Sequence, residues 1–489
     1  KMLINVIGKD LMENKQISVQ LARTLSENLK LCLSQLENGE INRIVLINNL
    51  QDTSQFLDKA FLNSLSKDED IFSETDSELP ENVQEWISST FTKRQKVSPP
   101  PRQRLRSLIN AVRVGMYFDR AFRKVSLPGS ISAPPNAMIY LKQHINNWTF
   151  DIFHFNNLAN NHSLKIMGYE LLHSNQLISR FSIDINVLEA FLDKLEEGYS
   201  LHQNPYHNLI HAADVAHTCF LIVSKSRLFN WLSDLELFSI LISALIHDFE
   251  HTGTSNNYHV NLNSNLALIY NDRSVLENHH LSAAFRLMKD DRYNIVQSLN
   301  ANEYRELRNM VIEMVLATDM SAHFNQVQVM KEGVLLPESL RKINILSYVL
   351  HSADISHPCK PWEMHHQWTN MVVEEFFRQG DNEKEFGLTC SPLCDRDSTL
   401  IPESQIGFIN FIVEPCFLVL GDIQKAISIL CPDETLLSDD PSENSTVNGE
   451  KQIQTPWMDN LGNNKVKWAQ LIKTKKEIDT IHEESENDD

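Results

Sequence analysis

The chain has 489 residues, 42% hydrophobic and 22% charged, the composition of a globular protein with room for a large core or up to about three domains. Its formal charge of −20 leaves no excess of Lys and Arg to neutralise a nucleic-acid backbone, so no nucleic-acid polymer is expected as partner.

The opening stretch, KMLINVIGKDLMENK, lacks the apolar core and small-residue cleavage site of a signal peptide. Apolar residues then recur at three- and four-residue spacing through most of the chain, which predicts an all-α fold. Residues 19–38 form an amphipathic helix closed by Gly39, and 66–82 (SKDEDIFSETDSELPEN) read as an acidic, solvated linker. Residues 102–125 (RQRLRSLINAVRVGMYFDRAFRKV) carry seven basic residues and one acid, Asp119. Within them Leu105, Ile109, Val112 and Phe118 stand at the anchor spacing of a helix laid into the calmodulin groove. A helix docked on the rest of the chain, or resting on an anionic membrane surface, fits the same pattern.

Proline, glycine and serine at 126–138 mark a hinge, and from Trp148 to Cys431 helices follow one another without a low-complexity break. The apolar runs Leu235–Ile246 and Ile409–Leu420 are too short to span a bilayer. From Pro432 the composition turns polar, predicting a mobile tail with a helix near 465–479. The chain thus divides into a regulatory region (1–140), a catalytic domain (141–431) and a tail (432–489). Seven scattered cysteines lack CxxC spacing, and even the neighbours Cys390 and Cys394 read as unlinked thiols. A soluble, cytoplasmic protein is expected, with a homodimer left open.

Three segments carry chemistry. In YHNLIHAADVAH, His207, His211 and Asp214 recur at i, i+4 and i+7, one face of a helix. HDFEHTGTSNN places His247 beside Asp248 at the end of an apolar helix, with His251 one turn on, and LHSADISHP places Asp354 in a similar setting. A single histidine on an apolar face is more often a packed core residue. Several imidazoles and carboxylates buried together would cost several kcal/mol apiece without partners, and a metal pair answers that cost. Imidazole suits zinc, and carboxylates suit zinc and magnesium alike. Two ions about 3.5–4 Å apart can hold a hydroxide and clamp a phosphoryl group.

The order YHNxxHAADV, HDxxHTG, NDRSVLENHH (271–280), ATDMS (317–321), HSADISHP and SQIGFI (404–409) resembles the class I cyclic nucleotide phosphodiesterases. In its details it is similar to the calmodulin-dependent, dual-specificity members, over roughly 145–430. The resemblance implies His211, His247, Asp248 and Asp354 as zinc ligands. It makes Asp248 a bridge to magnesium, with manganese as the alternative second ion. His251, Glu277 and Thr318 would fix the waters of that second ion. His207 resembles the general acid for the leaving 3′-oxygen, and Glu375 the carboxylate that keeps it protonated. His279, His280 and His217 read as packing or hydrogen-bonding residues, and Asp214 as orienting a ligand.

Gln405 and Phe408, at i and i+3, would be the amide that reads a purine edge and the ring that stacks on it. Val372 would oppose Phe408, with Tyr206 and Met320 nearby. His357 stands where cAMP-selective relatives carry asparagine, which implies cleavage of both cAMP and cGMP. The basic helix ahead of such a domain implies calcium–calmodulin as partner. Hydrolysis of another phosphoester, or nucleotide binding without turnover, are the competing functions.

Overall fold

The computed structural model describes residues 81–91, 131, 133–226, 228–335, 341–430 and 456–486, all within one unit spanning 80–489. The helix at 19–38, the basic helix with Leu105, Ile109, Val112 and Phe118, and most of the acidic linker lie outside the described residues. Among those described, every regular element is helical and none is a strand, as the spacing of apolar residues implied.

The helices that build the site are, in chain order, α1 (Glu81–Phe91), α2 (Ser163–Ser174), α3 (Leu209–Ser224), α4 (Asp234–Ile246), α5 (Val275–Leu287), α6 (Ala301–Leu316), α7 (Lys342–Asp354), α8 (Trp362–Glu385), α9 (Ile401–Phe408), α10 (Glu414–Leu430) and α11 (Pro456–Glu486). The middle of the core is α3, which is apolar nearly all round and buried from His211 to Val223. It packs on α2, α4 and α7. A capping box between Ser233 and Glu236 starts α4, and the helix is buried from Leu237 to Ile246. Such a helix has no solvent face, so its C-terminal end delivers His247 and Asp248 into the interior.

A π-helical turn, Ile409–Val413, joins α9 to α10 directly after Gln405 and Phe408. Turns of this kind re-aim side chains and recur at functional sites. The continuous run Ile401–Ile427 is therefore longer than the apolar stretch read from the sequence, and by length and composition alone it could cross a membrane. Of an 18-residue apolar window within that run 56% is buried, and Ile412, Cys416, Phe417 and Leu420 lie in the core.

Two packed elements lie outside the expected catalytic core. Helix α1 sits on the short turn Met320–Ala322 and on α9. Helix α11 packs on α8, α9 and α10, with Trp457, Leu461, Asn464 and Trp468 buried. The sequence pointed to a mobile tail beyond Pro432. Over 456–486 the chain is instead a helix longer than the one expected at 465–479, anchored by those four side chains.

Candidate active site

The Asn208 side chain caps α3 by accepting from the Ile210 and His211 backbone N–H groups, so the helix begins at Leu209. His211 is thus in the first turn and His207 in the turn before it. The expected shared helical face of His207, His211 and Asp214 does not form. From α3, the end of α4 and the end of α7, the fold brings His211, His247, Asp248 and Asp354 together, their ligand atoms all within 4.8 Å of one another.

The His247 Nδ1–H donates to the Ala244 carbonyl at 2.9 Å, which leaves Nε2 unprotonated in the neutral ring and aimed at the cluster. That nitrogen lies 3.3 Å from His211 Nε2 and 3.4 Å from Asp354 Oδ1. His211 Nε2 stands 3.0 Å from Asp354 Oδ1. The Asp248 Oδ2 atom has imidazole nitrogens at 3.2 and 3.4 Å, yet it is buried without a hydrogen bond. Burial opposes charge on His247 and on Asp248 alike. Their mutual attraction outweighs it, so the imidazole is held well above its ordinary pKa and the carboxyl well below. An orphaned carboxylate oxygen among imidazole nitrogens is what a bound cation satisfies, and two histidines with two aspartates are a donor set of that kind. The cluster is able to hold metal.

Beside it, His207 Nδ1 bonds Glu375 Oε1, while Glu375 Oε2 accepts from the backbone N–H groups of Tyr206 and His207 at 2.9 and 3.0 Å. Burial works against charge on His207, but Glu375 and Asp248 override it and raise its pKa to about 9. Glu375, buried yet facing that cation, falls to about 2. The remaining His207 nitrogen, Nε2, is 4.0 Å from Asp248 Oδ2. His251 stacks on His207 with centroids 3.9 Å apart, and burial together with the His207 charge keeps it neutral, well below its ordinary pKa. Asn204 ties the two loops by donating to the His207 and His251 carbonyls at 3.0 and 2.7 Å. Gly253, at φ +71°, passes so close that a Cβ there would lie 2.5 Å from the Asn204 amide oxygen.

Glu277 is held by the Asn256 amide at 3.0 and 3.2 Å, and burial and then Asp319 push its pKa up to about 8. The Thr318 hydroxyl donates to the Val315 carbonyl at 2.8 Å. The His280 Nδ1–H donates to the Phe249 carbonyl at 2.7 Å, and its Nε2 is 3.6 Å from Asp248 Oδ1. His217 bonds the Ile145 carbonyl at 2.7 Å and packs on Phe150, a structural place. Asp214 does not orient a ligand of the cluster. It receives the ammonium of Lys360 at 3.2 Å, and that lysine is fully buried.

Near the cluster, Tyr206 is edge-on to Trp368 at 5.3 Å. His357 lies nearly parallel to Phe408, with centroids 6.0 Å apart and 24° between planes. The Thr369 hydroxyl donates to the buried Gln405 side-chain oxygen at 3.3 Å. Val372, one turn along α8 from Thr369, and Met320 are half-buried. Three residues that the sequence did not single out join this group. Trp468 Nε1–H, which can only donate, bonds His365 Nε2 at 2.8 Å, and His365 Nδ1 meets His357 Nδ1 at 3.0 Å. Because His365 Nε2 accepts, its proton sits on Nδ1, which in turn puts the His357 proton on Nε2. The third is Trp86 of α1, tilted against Phe408 with centroids 5.8 Å apart.

Residues 206–432 match the family model of the 3′5′-cyclic nucleotide phosphodiesterase, and residues 64–120 match the model of its N-terminal part. The chain is 47% identical over 418 residues to the human dual specificity calcium/calmodulin-dependent 3′,5′-cyclic nucleotide phosphodiesterase 1C, covering 84% of this chain and 59% of that protein. The match therefore spans a little over half of that relative's length. To the human 1B form the identity is 42% over 463 residues, covering 90% of this chain and 86% of the relative. Among solved structures, the phosphodiesterase domain of the RhoPDE fusion protein from the choanoflagellate Salpingoeca rosetta superimposes with a TM-score of 0.59 at 28% identity, over 70% of this chain and 99% of that one. With these matches laid over a buried His/Asp cluster at the meeting point of α3, α4 and α7, the chain belongs to the 3′,5′-cyclic nucleotide phosphodiesterase family.

Proposed function

We propose that this chain hydrolyses cAMP and cGMP to their 5′-monophosphates and that calcium–calmodulin sets the rate. The observation that carries the reading is one juxtaposition: a charged His207, held by Glu375, 4.0 Å from the Asp248 of a cluster able to hold metal. His211, His247, Asp248 and Asp354 would hold zinc, and Asp248 would be shared with a magnesium or manganese ion whose surroundings include His251, Glu277 and Thr318. Bound there, the two ions would supply Lewis acidity and a water acidic enough to ionise near neutral pH.

The protein's own residues do the rest. As a water oxygen bonds to phosphorus, releasing one proton to solvent, and the P–O3′ bond breaks, the His207 Nε2–H gives its proton to the departing 3′-oxygen and is reprotonated from solvent afterwards. Glu375 keeps the ring charged until transfer, bonding Nδ1 through one oxygen and the Tyr206 and His207 backbone through the other. Gln405 reads the purine edge, and Phe408 stacks on the base against Val372, with Tyr206, Met320 and His357 closing the wall. A module that only binds nucleotide has no use for a leaving-group acid, which counts against silent binding.

Calmodulin control of a catalytic domain at 141–431 by the region 1–140 is favoured by the relatives' names and by the anchors Leu105, Ile109, Val112 and Phe118. A structural contact also favours it: Trp86 of α1 lies against Phe408, so a segment ahead of the basic stretch 102–125 touches the ring assigned to the base. The test is hydrolysis of both nucleotides with and without calcium–calmodulin, a chelator and the Phe118→Asp change. Turnover of both, lost to the chelator and stimulated by calmodulin except in Phe118→Asp, is expected. Tight cGMP binding without turnover would overturn the activity, and no response to calmodulin would overturn the regulation.

A further inference from the structure

Just after Asp354 of the cluster the chain makes a tight turn through His357, closed by backbone bonds to the Ser356 and His357 carbonyls, and the next three carbonyls, of Pro358, Cys359 and Lys360, are taken by side chains from elsewhere. Asn464 of α11 donates both of its amide hydrogens, to the Pro358 and Lys360 carbonyls at 2.9 Å each. Asn460 and Trp148 share the Cys359 carbonyl at 2.9 and 2.7 Å. From below, the Lys360 ammonium is tied to Thr218 at 2.8 Å and to Asp214 at 3.2 Å, both on α3. Pro358, Cys359, Lys360 and Asn464 are all buried, so water cannot replace a lost donor without a rearrangement.

We propose that Asn464, from a helix beyond the matched catalytic segment, is a positioning residue that sets purine selectivity by holding the 356–360 turn. The turn fixes where the His357 ring stands against Phe408, and this ring faces the base. Asn460 is partly redundant, because Trp148 also serves its carbonyl. Asn464 is not, because its single nitrogen serves two carbonyls that no other side chain reaches among the described residues. His207 and Glu375 sit on other segments, so the loss of Asn464 moves the base wall and leaves the proton donor in place.

This inference rests on the proposed cyclic-nucleotide reading and is tested on the full chain. Asn464→Leu, similar in size but without donors, is expected to raise KM by about tenfold for one nucleotide and less for the other, with kcat within about twofold. Asn460→Ala is expected to leave the KM ratio of cAMP to cGMP unchanged. Asn464→Ser, which keeps one donor in a smaller side chain, is expected to fall between and serves if Asn464→Leu does not fold. An unchanged KM ratio in the folded Asn464 variants, with only a lower melting temperature, would overturn the proposal. If the unaltered chain turned over neither nucleotide, the functional reading would fall. The affinity ratio for 5′-AMP and 5′-GMP would then decide on Asn464 by the same criterion.

Discussion

Replacing Glu375 by glutamine removes one charge and keeps the shape of the site. The Gln oxygen can still accept from the Tyr206 and His207 backbone N–H groups, but its amide now faces His207 Nδ1 as a donor. In the native site burial depresses the His207 pKa, and Glu375 followed by Asp248 raises it to about 9. Among the groups that raise it Glu375 acts most strongly, through its charge and through its hydrogen bond. Without it, burial dominates and the pKa falls to the ordinary value of about 6.5 or below. A fall of at least about two units is worth roughly 3 kcal/mol in the stability of the imidazolium. The sign is fixed by the role: an acid works below its folded pKa and is lost as pH rises through it. At pH 7.5 the protonated fraction goes from nearly all to about a tenth or less. The kcat–pH profile of Glu375→Gln for cAMP should therefore lose its alkaline limb first, about tenfold down at pH 7.5 and converging on the native rate near pH 6. An alkaline limb that stays with the native enzyme would refute the general-acid assignment of His207.

Other substitutions test separate parts of the structure. Trp86→Ala removes the ring that α1 lays on Phe408, and the basal rate without calmodulin should rise severalfold; an unchanged basal rate and KM would mean that this contact has no control over the pocket. Lys360→Met leaves the buried Asp214 carboxylate unpaired, which should cost about 3–5 kcal/mol in chemical denaturation. A cost under about 1 kcal/mol would show the pair to be incidental. Gly253→Ala forces a Cβ against Asn204, which holds the His207 and His251 loops, so kcat should drop with metal content intact.

The fold class and the convergence of His211, His247, Asp248 and Asp354 were legible because their signals are local. An apolar helix that ends in His247 and Asp248 announces a buried polar terminus, and Asp354 repeats the pattern at the end of α7. Where a neighbour distant in sequence decides, the signal vanishes. Asp214 looked like part of a ligand face because its spacing from His211 suits a helix, but a lysine 146 positions away claims it. His207 left the helix because Asn208 caps it. Asn464 and Trp468 lie in a stretch whose Asn and Lys content reads as solvated. Their burial makes sense only once the carbonyls of the 356–360 turn and the His365 nitrogen are known to be waiting. Trp86 carries no sequence signal for its contact with Phe408, a residue more than three hundred positions later.

The central claim is that His211, His247, Asp248 and Asp354 hold a metal ion on which hydrolysis depends. Elemental analysis of the purified, dialysed chain tests it most directly, with Asp354→Asn measured alongside. One tightly held zinc per native chain, lost together with cyclic-nucleotide turnover in a folded Asp354→Asn variant, is the predicted result. Full turnover in a metal-free chain, or zinc retained undiminished by the variant, would contradict it.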